Sequence, residues 1–236
     1  MADPTFVALI KRTGPLVRLL DVLCAISLLS MMAPLLAAAD SPDPLVHRVE
    51  QRYNAAHTLS VHFVEHYKSE GHGRRPEEGT LTLRKVGKMR WDYSEPKGKL
   101  FISDGKNLYL YTAADNRVER WKLKETEDMR APLAFLLGHM DMQKEFHDFS
   151  THPGLGGTWL DATAKNAHAP YESVEMLIMP DDSIRQLNVK GRDGSELSYD
   201  FDQEKLNVPV SDRMFDFAIP PGAQVVNSVG LNGQGG

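Results

Sequence analysis

The chain has 236 residues, with 27 Lys and Arg against 32 Asp and Glu, a net charge of -5 and 42% hydrophobic residues. Moderate acidity with both signs interspersed excludes the broad basic field that nucleic-acid binding needs. The single cysteine, Cys24, excludes an internal disulfide, and the length suits one domain with a real core.

The first forty residues have their own character. Lys11, Arg12 and Arg18 precede an apolar run over 22–36, and Ala37-Ala38-Ala39 leads into the polar Asp40. Basic flank, short apolar core and small-residue exit are the three parts of a secretory signal peptide. The run is shorter than the ~20 residues that cross a bilayer comfortably. Cleavage is therefore expected after Ala39, dividing the chain into a leader (1–39), a body (40–226) and a glycine-rich tail (227–236). Cys24 falls inside the leader. Asp21-Val22-Leu23 lacks the small residues of a lipoprotein cleavage site, so the product is read as unlipidated. An exported, cysteine-free body fits a soluble protein of a bacterial periplasm.

The body opens with Pro42-Asp43-Pro44, a capping acid followed by a proline suited to the first helical position. Leu45, Val49, Tyr53 and Ala56 then recur at helical spacing. The period changes to two at Val61 and Phe63, and strands are predicted near 61–68, 79–85, 89–93, 99–103, 107–112 and 117–123. Asp104-Gly105 marks a tight hairpin among them. They are rich in large aromatics: Trp91, Tyr93, Tyr109, Tyr111 and Trp121. An ordinary core or a ligand cavity would account for these equally well. Next, Pro132 and Gly138 bracket a short helix that is apolar all round, with Leu133, Phe135, Leu136 and Leu137. Further strands are expected near 158–162, 172–179, 184–189, 197–201 and 215–217. These elements imply a mainly β (α+β) fold, a single strongly curved antiparallel sheet with helices laid into its concave side. Such a hollow suits an apolar ligand.

Chemistry-bearing patterns are weak. His62 and His66 share a strand face, but a third metal ligand is not evident, so no metal and no cofactor are assigned. Gly154-Leu155-Gly156-Gly157 lacks the strand-then-helix setting of a phosphate loop. No nucleophile elbow and no body cysteine provide a nucleophile. The chain is read as a non-enzyme.

Several motifs read together resemble the LolA-like periplasmic outer-membrane lipoprotein carriers. They are the Gly79-x-Leu81-x-Leu83 strand, Met89-Arg90-Trp91-Asp92-Tyr93, Glu95-Pro96, the run Ser103-Asp104-Gly105-Lys106-Asn107-Leu108-Tyr109-Leu110-Tyr111, the segment 132–138, and Phe215-Asp216-Phe217 with Pro220-Pro221-Gly222. The resemblance covers about 44–226. It implies an incomplete β-barrel covered by a helical lid, and a monomeric chaperone that binds lipoprotein acyl chains. The implied partners are acylated lipoprotein cargo, an inner-membrane lipoprotein-releasing ABC transporter and an outer-membrane acceptor. The implied cavity lining is Phe63, Leu81, Leu83, Trp91, Leu100, Ile102, Leu108, Leu110 and Trp121, with Leu133, Phe135, Leu136 and Leu137 on the lid. The family's arginine-proline lid latch is replaced here by Arg84-Lys85-Val86, where Lys85 aligns with the arginine and no proline follows, which implies either a lid held more loosely by Lys85 or a latch at Arg84. A related carrier of a free lipid or glycolipid, or an envelope domain that senses lipoproteins, fits the same pattern.

Overall fold

The computed structural model describes residues 43–69, 71–85, 87–122 and 140–227. The leader, the segment holding Leu133, Phe135, Leu136 and Leu137, and the tail beyond Asn227 lie outside the described residues.

Helix α1 (Asp43–Ala55) begins with an acid in its first turn, which suits the positive end of the helix dipole. Val46, Val49 and Tyr53 form its buried stripe at three- and four-residue spacing. The strands are β1 (Thr58–Ser69), β2 (His72–Gly73), β3 (Glu77–Arg84), β4 (Lys88–Glu95), β5 (Lys99–Asp104), β6 (Asn107–Thr112) and β7 (Arg117–Lys122). After a one-turn helix α2 (Met142–Glu145) come β8 (Phe146–Gly154), β9 (Gly157–Ala164), β10 (Tyr171–Ile178), β11 (Ile184–Gly191), β12 (Glu196–Leu206) and β13 (Gln224–Asn227).

All thirteen described strands join one sheet. Its order is β13-β7-β6-β5-β4-β3-β1-β12-β11-β10-β9-β8, with β2 hanging on β1. Neighbours are antiparallel except β13, which pairs with β7 in parallel. The expected incomplete barrel, a strongly curved and purely antiparallel sheet, is therefore corrected: the sheet is open and mixed, ending in two edges, β13 and β8.

The reason lies on its second face. The chain between β12 and β13 (207–223) crosses the back of the sheet as a strap. Thr58 Oγ1 donates to Val208 O (2.6 Å), Arg84 to Val210 O (2.7 Å) and Arg90 to Met214 O (3.0 Å), and Gln224 N–H reaches Asn116 O (2.9 Å). A 3-10 turn (Asp212–Phe215) on the strap packs against β4 and β5 and buries Phe215 completely. Phe217 lies against Tyr109, with ring centroids 5.1 Å apart. Apolar residues on both faces are thus covered, and one concave hollow need not satisfy them all. The same strap corrects the predicted strand at 215–217. Phe215 ends the 3-10 turn and Phe217 is irregular. Strands β2, β8 and β13 have no counterpart among the predicted elements.

The front face carries the main core. Cross-strand partners share a face, so the ladders Leu59–Leu83–Met89–Ser103–Leu108–Trp121 and Val61–Leu81–Trp91–Phe101–Leu110 line it on one side of the sheet. Phe201, Tyr199, Leu187, Met176 and Leu160 continue it on the other. Together with the α1 stripe they form one cluster.

Candidate functional site

The candidate site is this front face. Phe63, Leu81, Leu83, Trp91, Leu108 and Trp121 are all buried in its cluster, and Leu110 packs against it half-buried. The structure brings these seven expected residues together. It does not bring Leu100 and Ile102 to them. Ile102 pairs with Tyr109, Leu100 with Tyr111, and both pairs face the strap. Phe101 takes their place on the front. Both faces of β5 are apolar, so alternation along that strand decides nothing. The hairpin could have decided it: Leu108 stands opposite Ser103, which puts Phe101 and Ser103, and not Leu100 and Ile102, on Leu108's face.

Phe63 is the aromatic hub. Its ring meets Trp91 edge-on at 4.6 Å and Tyr93 at 5.2 Å, and Trp91 lies 5.6 Å from Tyr199. Gly79 makes room for it. Gly79 stands between Phe63 and Tyr93 in the ladder, and a Cβ there would come within 2.1 Å of Asp92 O.

Beyond Phe63 the face turns polar at Glu65, which sequence reasoning missed. Two residues along β1 put Glu65 on the same side, opposite Tyr199 and Glu77. Burial raises its pKa, Lys99 opposes that rise and Glu77 adds to it, while Tyr199 donates to the carboxylate. Tyr93 bonds to it as well, and Lys99 pairs with Glu77 above the Tyr93 ring.

Helix α1 is fastened over the sheet at three places. Tyr53 Oη donates to Glu204 Oε2 (2.7 Å) and accepts from the buried Ile184 N–H (2.9 Å). Burial first, then the Glu204 charge, push this phenol far up, so it stays protonated. Arg52 Nη2 donates to Glu204 Oε1 (2.7 Å), and Arg48 Nε to Asp182 Oδ1 (2.9 Å). At the other side Lys85 Nζ donates to Tyr53 O (2.8 Å) and Asn54 O (3.0 Å). A cation on the last carbonyls of a helix satisfies orphan acceptors and suits the dipole. Burial lowers the pKa of this ammonium. The residue expected to latch the lid thus ties α1 in this structure, and the lid segment lies outside the described residues. Arg84 faces away, toward Val210 O and Asp212 (3.5 Å) on the strap. A cavity of about 20 Å³ remains beside Tyr53, Leu59, Leu83 and Lys85. That is room for one water and not for an acyl chain.

His62 and His66 lie on the back face, beside Asp202 (2.9 Å) and Asp200 (3.6 Å) respectively. Among the described residues no group of three or more His, Cys, Asp or Glu is placed to hold a metal ion.

An outer-membrane lipoprotein carrier protein from Methylobacillus flagellatus is 24% identical over 203 residues, covering 86% of this chain and 96% of the relative. One from Bordetella avium is 29% identical over 205 residues, covering 86% and 95%. A solved structure of an uncharacterized conserved protein from Thermus thermophilus shares the fold, with a TM-score of 0.51 at 11% identity over 80% of this chain and the whole of that one. The pattern of the family described as outer membrane lipoprotein carrier protein LolA matches residues 54–218. The chain therefore belongs to that family of periplasmic lipoprotein carriers.

Proposed function

We propose that the protein shields the acyl chains of lipoproteins against its front apolar face. It carries them from an inner-membrane lipoprotein-releasing ABC transporter to an acceptor in the outer membrane, and performs no chemistry on them. The observation that carries this reading is the continuous apolar front face, from Trp121 through Phe63 to Leu160, in a chain of the carrier family. Its proposed lining is Phe63, Leu81, Leu83, Trp91, Phe101, Leu108, Leu110 and Trp121. Each methylene withdrawn from water gains ~0.8 kcal/mol, so three long chains would bind a preformed pocket too tightly to be released. A face that is already packed offsets this gain. In this reading α1 and its neighbours move aside for cargo, at the cost of the core contacts they make when empty. In the same reading residues 1–39 are a leader removed on export, and the body acts as a monomer.

The test is to collect the exported protein without detergent and identify any bound mass by native mass spectrometry. A triacylated lipoprotein is the expected ligand. A free phospholipid or glycolipid in its place would make this a carrier of free lipid. If the protein emerges empty, a synthetic triacylated peptide is added, and failure to bind it would overturn the reading.

A further inference from the structure

Two polar atoms on the front face lack what buried polar atoms ordinarily have. The indole N–H groups of Trp91 and Trp121 are enclosed, with 3% and 4% of the residues exposed, and neither has a hydrogen-bond partner among the described residues. Folded proteins pair nearly all such groups, because a buried donor without an acceptor has given up water for nothing. A third unpaired atom, Arg52 Nε, differs in kind, since its guanidinium already holds Glu204.

The surroundings of the two indoles say what is missing. Trp91 sits between Leu81 and Phe101 in the ladder and against the rings of Phe63 and Tyr199. Trp121 stands opposite Leu108. These described neighbours are apolar and supply no acceptor, which leaves the two donors open to one carried by a ligand. Three strand spacings separate β4 from β7, about 14 Å, so the two donors address separate points of a long ligand. A hydrocarbon chain has nothing to offer them. Its carbonyl linkage does.

We propose that Trp91 and Trp121 donate hydrogen bonds to the ester or amide carbonyls through which acyl chains are attached, so that the face selects carbonyl-linked chains over ether-linked ones. The proposal rests on the acyl-binding reading above and sharpens its substrate class. Each donor adds a neutral hydrogen bond in an enclosed site, worth about 5- to 10-fold in affinity.

The test compares ligands matched in chain length. A lipopeptide with ester- and amide-linked chains is titrated against the purified protein beside its ether-linked analogue, with Trp91→Phe, Trp121→Phe and the double variant alongside. The ester form should bind the unaltered protein more tightly, and each Phe substitution should remove about 5- to 10-fold of that preference while shifting ether binding little. The ratio within each variant cancels packing lost with the indole, and the comparison on the unaltered protein stands even if a variant fails to fold. Equal affinities for the two linkages would overturn the proposal and leave acyl binding intact. Failure of both lipopeptides to bind would overturn both readings. A diester phospholipid and its diether analogue form the second arm. Discrimination confined to that pair would uphold the carbonyl contact and assign it to membrane lipid, which would overturn its role for lipoprotein.

Discussion

On either side of β1 the sheet presents the same apolar front, yet its two halves are finished differently. Toward β12 and β11, polar groups meet partners: Tyr53, Arg52 and Arg48 on α1 engage Glu204, the Ile184 N–H and Asp182. Toward β3–β7 the front is aromatic, two indole donors lack a partner among the described residues, and Lys85 ties the helix down. In the proposed reading, the far half (β11–β12) serves as a hinge support for α1 and the near half (β3–β7) as the surface uncovered for cargo. A hydrogen-bonded polar network resists opening because breaking it strands buried groups. Exchanging packed rings for acyl chains strands nothing.

The comparison can be broken at several points. Gly79→Ala should do most damage, at about 3 kcal/mol, because its Cβ would press on Asp92 backbone and displace the Phe63–Tyr93 contact. Urea unfolding measures it, and a loss under about 0.5 kcal/mol would mean the near half is already loose enough to yield. Tyr53→Phe leaves the Ile184 N–H buried without its acceptor and should cost about 2 kcal/mol by the same assay. Lys85→Met should cost less, about 1 kcal/mol, and locally. Hydrogen exchange should rise at the C-terminal turn of α1 while β10 and β11 keep their protection. A uniform rise would contradict the hinge picture.

Glu65→Gln gives the smallest effect and a signed pH dependence. The Glu65 carboxyl is raised above its ordinary value of 4.5 by burial, so the folded state holds its proton more tightly than the unfolded chain. That contribution is fully present below the ordinary value and is lost as pH rises through the folded one. The variant should therefore gain on the unaltered protein between pH 4 and pH 8. Urea midpoints that keep a constant gap across that range would show that Glu65 is not desolvated.

How much of this was legible depends on what each residue had to meet. The helix at 43–55 could be read because Val49 and Tyr53 repeat toward a single partner. Most strands of the first half could be read from alternation and the Asp104-Gly105 hairpin. Strand β8 escaped because His147, His152 and Pro153 carry little strand preference, and pairing with β9 imposes the conformation. The facing of Leu100 and Ile102 was missed because both faces of β5 are apolar, the strap from more than a hundred positions away covering one of them, although the hairpin register could have decided it. The same is true of the open sheet, since nothing local says that residues 207–223 will cross the back. Glu65 was invisible as a site residue because its setting comes from four other strands, β3, β4, β5 and β12.

The parallel pairing of β13 with β7 bears on how the chain reaches this state. Arg120 bonds to Asn227, 107 positions away, so the contact closes a very long loop and is expected late in folding. Until it forms, β7 offers bare amides and carbonyls to any neighbouring chain, the usual starting point of edge-to-edge aggregation. The strap's Phe217 then both covers Tyr109 and delivers the strand that caps this edge. A chain truncated before Gln224 should misbehave chiefly at high concentration, in the test tube and in the cell, as an assembly problem distinct from any loss of lipid binding.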